Sequence, residues 1–436
     1  MRIWLVQTGE ELPLDGPNTR LLRTALLAEE LAQRGHDVTY INATFNHQRK
    51  IQRAQTTQFL QRDGAAGRHY DCVLLAGRAY AANVSISRFR SHRENAAAFL
   101  AVAGTLPQPD VMLCGFPPIE LADAAIGYAA QHGIPCAVDC RDMWPEVIAE
   151  RLPAIARPFA RFALAPLFRQ KHRALARASA LTGITDAFVK WGQNGAKRPA
   201  QPLDRAFHLT VSPTQIDAQA MAQSDALWDD MVGNNDQDRP IIGCFAGTFA
   251  TRTDILTVID GANALSPEER ARIRIILCGK GDLADEMARR AQGNPAVVIA
   301  GWRNAADIAA LMARSDFGIL PYPNTPDFLA SYPNKVGEYL LAGLPILTGL
   351  QGVTGPLLDA HGLGLRYTPG DVASVAGQLR SLLAAPASAT LRDHARAIGR
   401  QHFDPTRIYP AFADWLESLA SCAKLPAPTS FESTAA

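Results

Sequence analysis

Short apolar runs recur along the chain, and most are followed by a longer stretch in which apolar positions return every three or four residues. Residues 3–6 (IWLV) form the first run, residues 21–35 carry the helical period, and a second strand begins at 36–42. The pattern repeats at 109–115, 116–133 and 134–148, and again at 180–188 after a basic interval. Strands separated by helices predict parallel β-α-β units, so the N-terminal half is expected to be a doubly wound α/β domain. Periodicity fades across 197–220, where proline is frequent, and the run around 229–239 is acidic and polar. From residue 239 the order strand, glycine loop, helix restarts and continues through 272–282 and 296–323. The expected organisation is α/β throughout: a Rossmann-like domain over 1–195, a linker and exposed loop over 196–239, a second Rossmann-like domain over 240–388, terminal helices over 389–422 and a disordered tail over 423–436.

Residues 332–349 (YPNKVGEYLLAGLPILTG) compress a loop, a short helix and a short apolar strand. Ser331 and Asn334 are N-cap candidates, Pro333 suits the start of a helix, and Gly343 with Pro345 supplies the stop. Asp186, late in the 180–188 stretch, is expected to cap the helix that follows. Lys335 falls in a first helical turn, where the macrodipole disfavours a cation and the unpaired amides favour an anion; a phosphate there would satisfy both. Glu338, one turn on, lies on the same face and suits sugar hydroxyls. The alternative is a surface Lys-Glu pair worth ~0.2–0.5 kcal/mol.

Composition narrows the classes. A hydrophobic content of 47% over 436 residues is ample for two or three cores, and a net charge of +1 argues against a general nucleic-acid binder. Seven cysteines fit reduced thiols better than a disulfide framework, and Cys136 and Cys140, which flank Asp139, have no partner pair for zinc, so no metal is expected. The opening MRIWLVQTGEE holds an apolar run too short for a signal-peptide core, and no apolar stretch of membrane-spanning length follows, which predicts a cytoplasmic protein. Residues 151–177 carry seven lysines and arginines and no acid among Leu, Ile, Phe and Ala. Such a segment suits an anionic membrane surface, at about 1 kcal/mol per basic residue, or else packs as an amphipathic helix with a basic outer face.

The order PNK, GEYLLAGLP, short strand resembles the donor-site segment of glycosyltransferase family 4, the group 1 type. The D-x-R-D-x-W-P string of Asp139, Arg141, Asp142, Trp144 and Pro145 is similar to a pattern of the branch active in bacterial surface-polysaccharide assembly. So are F-x-H-x-x-K at 45–50 and Y-x-x-N-x-S-x-x-R at 80–88. The resemblance implies a GT-B fold, two Rossmann-like domains facing a central cleft, with the last helix returning to the first domain through Phe412 and Trp415. It implies retaining transfer of a hexosyl group from a nucleotide-diphosphate sugar to a glycan or polyprenyl-linked acceptor, without a cofactor, in exopolysaccharide, capsule or O-antigen synthesis. Many members carry a second glutamate eight residues before the first; here that position is Ala330. A nucleotide-sugar epimerase of the same fold and a noncatalytic nucleotide-sugar-binding subunit therefore stay open. A dehydrogenase is disfavoured, because Gly9 and Gly16 stand seven residues apart and no G-x-G-x-x-G is present in the first loop.

Site residues follow from the two readings together. On the donor side the candidates are Gly16, Gly247, Thr248, Arg303, Asn334, Lys335 and Glu338, with Arg252 placed to neutralise the leaving diphosphate, Lys280 as a further cation and Arg303 to stack on a base. On the acceptor side they are His47, Tyr80, Asn83, Arg88, Glu120, Asp139, Arg141 and Trp144, with Asp142 the candidate for the acceptor hydroxyl. Asp139, Arg141 and Asp142 fall at the carboxyl end of a strand, where open α/β sheets bind ligands, although an internal ion network would use the same residues.

Overall fold

In the computed structural model the chain divides into two compact units, Met1–His208 with the helix Pro405–Cys422, and Leu209–Asp404. The structure describes all residues except 17–18, 65–67, 83–84, 151–158, 160–161, 211–216, 233–238 and 423–436. Asn83, the tail over 423–436 and much of the basic segment at 151–177 lie outside the described residues.

Among the described residues the first unit holds ten strands: β1 (Arg2–Val6), β2 (Asp37–Ala43), β3 (Phe45–Asn46), β4 (Ile51–Gln52), β5 (Gln58–Leu60), β6 (Asp71–Leu75), β7 (Val111–Phe116), β8 (Cys136–Cys140), β9 (Ala180–Gly183) and β10 (Arg205–Ala206). Eight of them form one sheet in the order β10-β9-β8-β7-β1-β2-β6-β5. Every pairing is parallel except β5 on β6. Strands β3 and β4 make a separate antiparallel hairpin just after β2. Continuous apolar runs end up in the middle of the sheet because both faces are covered there; Ile3 to Val6 are fully buried. The helix Pro405–Cys422 completes the core, with Phe412 stacked on Phe207 at 4.3 Å and Trp415 Nε1 donating to Leu203 O at 2.8 Å.

The second unit holds a six-stranded, wholly parallel sheet of β11 (Ile241–Thr248), β12 (Ile273–Lys280), β13 (Val297–Gly301), β14 (Phe317–Leu320), β15 (Ile346–Thr348) and β16 (Gly364–Arg366). Their order is β13-β12-β11-β14-β15-β16. Apolar clusters lie on both of its faces, one around Phe245, Ile259 and Leu379, the other around Trp228, Tyr339 and Leu340.

Several boundaries differ from the sequence expectation. Residues expected in the linker are structured: Asp204 accepts from the Leu181 and Gln201 amides and pairs with Arg198, which fixes the 198–204 loop to the first unit. The helix Ala218–Val232 clamps the helix Ala305–Arg314, with Trp228 Nε1 donating to Asp307 O at 2.7 Å and Arg314 bound to Asp225 and Asp229. The helix Ala389–Phe403, expected among the returning helices, belongs to the second unit, where Phe403 lies under Gly337 and Gly399 abuts Leu340 and Leu341. Of these, only the helix Ala218–Val232 escaped the sequence reading; Ala389–Phe403 was expected as a helix, and its packing decided the unit to which it belongs. Caps moved too: Thr185, not Asp186, caps the helix Asp186–Ala196 by accepting from Phe188 N. Among the described residues no helix is long and apolar enough to cross a membrane.

Glycine substitutions separate close packing from helix propensity in the second unit. A Cβ at Gly399 would sit 2.7 Å from Leu341 N, whereas one at Gly377, inside the helix Val372–Ala384, meets nothing within 4 Å. Gly399→Ala should cost ~1–3 kcal/mol by forcing two helices apart, and Gly377→Ala should gain roughly 0.5–1 kcal/mol. Thermal unfolding of the two variants is expected to shift in opposite directions; equal shifts would contradict this helix pairing.

Candidate active site

Because all six strands of the second unit run the same way, their carboxyl ends line one edge, with Thr248 in register with Lys280 and Leu320 with Thr348. Two glycines let the first two loops approach each other there. Gly279 has φ +150° and a Cβ on it would meet Gly247 O; Gly281 has φ +153° and a Cβ on it would meet Phe249 O. Gly247 and Thr248 end β11, and Arg252 is exposed on the turn that follows. Lys280 is exposed at the end of β12.

The helix Asn334–Ala342 starts at the same edge, since it follows β14 in a parallel crossover. Its N-cap is Pro333, with no side chain capping the start; Asn334 is already helical and exposed, and Ser331 instead ends the preceding helix Pro326–Ala330. An uncapped start leaves amide donors facing outward at the positive end of the dipole. Tyr339 anchors the helix from below, its hydroxyl placed 3.1 Å from Cys244 O and 3.2 Å from Ile319 O, and Gly343 in the left-handed region (φ +81°) ends it.

Lys335 Nζ donates to Glu338 Oε2 at 2.5 Å, with side-chain exposures of 16% and 7%. The surface-pair alternative fails on that burial. A carboxylate so enclosed is retained only with a paired cation, and removing either partner leaves a buried charge. Tyr322 lies close by, its hydroxyl pushed up to about 12 by burial and by the Glu338 charge. Ala330 is buried at the end of its own short helix and offers no second carboxylate.

Arg303 does not stand free for a base. Its guanidinium covers the Trp228 ring at 5.5 Å and donates to Met231 Sδ at 3.7 Å. The side chain beside it, Trp302, is 67% exposed on the loop after β13 and was not singled out from the sequence. The signal was present, because a tryptophan left in water at a strand's carboxyl end is unusual for so apolar a residue. The Cys278 thiol near the end of β12 is pushed up to about 12 by burial first and then by Cys244.

In the first unit the structure splits the expected acceptor residues into two sets. Asp139 is fully buried: Arg23 grips both of its oxygens at 2.8 and 3.1 Å, and Arg141 Nε adds a bond at 2.7 Å. Arg141 also pairs with Glu10 and donates to Thr24 Oγ1 at 2.9 Å. Burial alone would raise the Asp139 pKa, but the two guanidinium groups hold it below the usual carboxylate range. Asp139 and Arg141 are thus an internal ion network, and the assignment of Asp139 to acceptor contact is corrected by its lack of exposed surface. Asp142 is half-buried in the next turn and accepts from Met143 N at 2.8 Å.

The second set stays together. His47 Nδ1 is 2.8 Å from the Tyr80 hydroxyl and 3.3 Å from Lys50 Nζ. The Arg88 guanidinium lies 4.5 Å over the Trp144 ring and 5.8 Å over Tyr80. Arg88 Nε donates to His92 Nε2 at 3.3 Å, and His92 Nδ1 faces Glu120 Oε2 at 3.6 Å. Gly16 (φ +140°) closes the turn Pro13–Asp15 in the first loop, which Arg49 and Arg53 tie to the β3–β4 hairpin through Asp15. Among the described residues no group of three His, Cys, Asp or Glu side chains is placed to hold a metal ion.

Residues 239–385 match the family model described as Glycosyl transferases group 1. No curated protein sequence matches the chain at a significant level. Solved structures match over nearly the whole chain. HepE from Anabaena, in complex with UDP, is 15% identical with a TM-score of 0.61, covering 96% of this chain and 99% of that one. Sucrose-phosphate synthase from Thermosynechococcus elongatus is 14% identical with a TM-score of 0.68, covering 97% and 99%. WaaG, a glycosyltransferase involved in lipopolysaccharide biosynthesis, is 15% identical with a TM-score of 0.59, covering 98% and 100%. At these identities the likeness is one of fold, and the fold is that of the GT-B glycosyltransferases.

The His47 environment fixes a pH dependence. Burial, then Arg88, Lys50 and His92, push its pKa down to about 4 from an ordinary value near 6.5. Between those values the unfolded chain binds a proton that the folded one refuses, so the folded state loses stability as pH falls from about 6.5 towards 4. His47→Asn should flatten that part of the stability-pH curve, and the His47 ring resonances should stay in the neutral position down to about pH 5. An imidazole that titrates near 6.5 would refute the arrangement.

Proposed function

We propose that this protein is a retaining glycosyltransferase that moves a hexosyl group from a nucleotide-diphosphate sugar to a glycan or polyprenyl-linked acceptor. The observation that carries the proposal is the buried Lys335–Glu338 pair at the uncapped start of Asn334–Ala342, inside the segment that matches the group 1 model. The helix start and Lys335 take the charge that develops on the departing diphosphate, and Glu338 accepts from donor hydroxyls. The bond between the sugar C1 and the diphosphate oxygen breaks, and the acceptor oxygen joins C1 from the same face, its proton passing to the leaving diphosphate. Arg252 supplies further positive charge at the phosphates, Asn334, Gly247 and Thr248 line them, and Gly16 belongs to the same donor set in the first unit. Trp302 serves as the platform for the base, a role its exposed ring suits better than Arg303. HepE binds UDP and UDP-glucose, which supports a uridine donor as the first to try. Asp142 meets the acceptor hydroxyl. No cofactor enters this scheme.

The setting we propose is surface-polysaccharide assembly at the cytoplasmic face of the membrane, with peripheral attachment through the basic segment. Phe159 and Phe162 are 77% and 86% exposed, and Arg169 and Arg177 are exposed on or beside the helix Ala165–Arg177. Lys171 has no part in that face, because it is buried against Glu146.

Glu338→Gln keeps the shape and one acceptor oxygen while removing the charge that Lys335 needs. It should lower transfer efficiency at least tenfold, and Trp302→Ala should weaken UDP about tenfold, as expected for a lost base stack of ~1–3 kcal/mol. Product anomers read by NMR test retention. Isomerised donor without acceptor would instead favour an epimerase, and UDP-sugar binding without hydrolysis or transfer a binding subunit. Replacing Phe159 and Phe162 with Ser and Arg169 with Gln should reduce co-sedimentation with anionic vesicles; unchanged binding would remove the membrane role.

A further inference from the structure

An aspartate at a helix start ordinarily caps the helix, and Asp254, which precedes the helix Ile255–Asn263, does not: its side chain accepts from none of the helix amides. Its oxygens are taken up elsewhere. Thr257 Oγ1 donates to Oδ1 at 2.5 Å, and Gly370 N, 116 residues away in the chain, donates to Oδ2 at 3.2 Å. The Tyr367 hydroxyl also bonds to this carboxylate, its pKa pushed up by burial first and then by the Asp254 charge. The Asp254 amide in turn donates to Pro321 O at 2.7 Å. One residue thereby joins the exits of β11, β14 and β16, all on the carboxyl edge of the second unit's sheet.

What Asp254 fixes is the turn before it. Phe249 anchors the entry to that turn, its N donating to Lys280 O at 3.0 Å and its O accepting from Leu283 N at 3.0 Å. Thr253 closes the turn, its N and Oγ1 donating to Ala250 O at 2.9 and 2.8 Å. Thr251 and Arg252 are left exposed at the tip. Among the described residues Arg252 makes no hydrogen bond or ion pair of its own, and Asp254, two residues on, does not pair with it because its oxygens face Thr257, Gly370 and Tyr367. A long side chain loses rotamer freedom when it binds an anion, so the placement of its backbone decides how well it meets one.

We infer that Asp254 is the positioning residue for Arg252: it locks the end of the turn to the exits of β14 and β16, and the affinity of the second unit for a nucleoside diphosphate depends on that lock. The inference rests on the transferase reading, in which Arg252 lies at the donor phosphates, and adds to it a residue that touches no substrate. A purely structural role would lower stability without choosing between ligands; positioning discriminates against those that carry phosphate.

Asp254→Asn keeps the size of the side chain and removes its charge, and Tyr367→Phe removes one donor to it without touching the turn. The full-length protein, these two variants, Arg252→Gln and the double variant Arg252→Gln/Asp254→Asn are titrated calorimetrically with UDP and with uridine, with melting temperatures as the folding control. Asp254→Asn should weaken UDP about tenfold and uridine less than about twofold, and Tyr367→Phe should weaken UDP roughly twofold to fivefold. In the Arg252→Gln background Asp254→Asn should change UDP affinity less than about twofold, since a residue and the one that positions it do not act additively. Trypsin cuts after arginine, and mass spectrometry of the ligand-free protein should show the cut after Arg252 appearing at least about fivefold faster in Asp254→Asn, as local opening of the turn requires. The inference is overturned if UDP affinity withstands Asp254→Asn in a folded protein, if uridine is lost to the same degree, if the two substitutions add in full, or if the rate of the cut is unchanged. Where Asp254→Asn does not fold, Tyr367→Phe decides by the same UDP and uridine comparison. Should UDP not bind the parent protein, the transferase reading falls, and the rate of the cut after Arg252 still decides whether Asp254 holds the turn.

Discussion

Asp139 is a charge placed inside a parallel sheet, and the first unit is arranged around keeping it compensated. Two arginines and two carboxylates, Arg23, Arg141, Asp139 and Glu10, close a network of zero net charge. The partners come from three places: Glu10 from the first loop, Arg23 from the first helix, Asp139 and Arg141 from β8 and its exit. A buried charge without its partner costs several kcal/mol, so the three segments are held in one arrangement. Arg23 extends the constraint by donating to Phe207 O and lying 4.6 Å over Phe412, which links it to the place where the chain leaves the unit and to the helix that returns.

The consequence for function is a division of labour along one strand end. Asp139 and Arg141 face inward and fix the loop, and the residues just beyond, Asp142 and Trp144, are left at the carboxyl edge with one half-buried carboxylate and one ring for Arg88 to cover. The second unit solves a similar problem differently. Lys335 and Glu338 also form an enclosed pair, but at a helix start whose amides no side chain caps, and the lysine keeps part of its surface. A sealed network gives rigidity; a pair at an open helix start can exchange its partner for a ligand's charge.

Aromatic rings take part in both units for one reason. The face of a ring attracts a cation through its quadrupole and so helps to position it. Tyr80 and Trp144 lie against Lys50 and Arg88 in this way, and Trp228 against Arg303. With Arg303 turned aside, Trp302 is the side chain presented to solvent beside it.

The sequence by itself determined what depends on local order. Apolar runs bounded by glycine and spaced by helical periods dictated two parallel-sheet units, and the spacing of Lys335 and Glu338 put them on one helix face. It also placed Asp139, Arg141 and Asp142 at a strand end. It did not decide which of those three would be sealed, because burial depends on Arg23 and Glu10, distant in the chain. The helix Ala218–Val232 read weakly for the same reason, since Asp307 and Arg314 on another helix hold it, whereas Ala389–Phe403 read as a helix and only its packing on Leu340 and Leu341 decided its unit. Only the tertiary structure brought Lys50 to Tyr80 and Arg88, since hairpin, loop and helix meet through packing that no local pattern encodes.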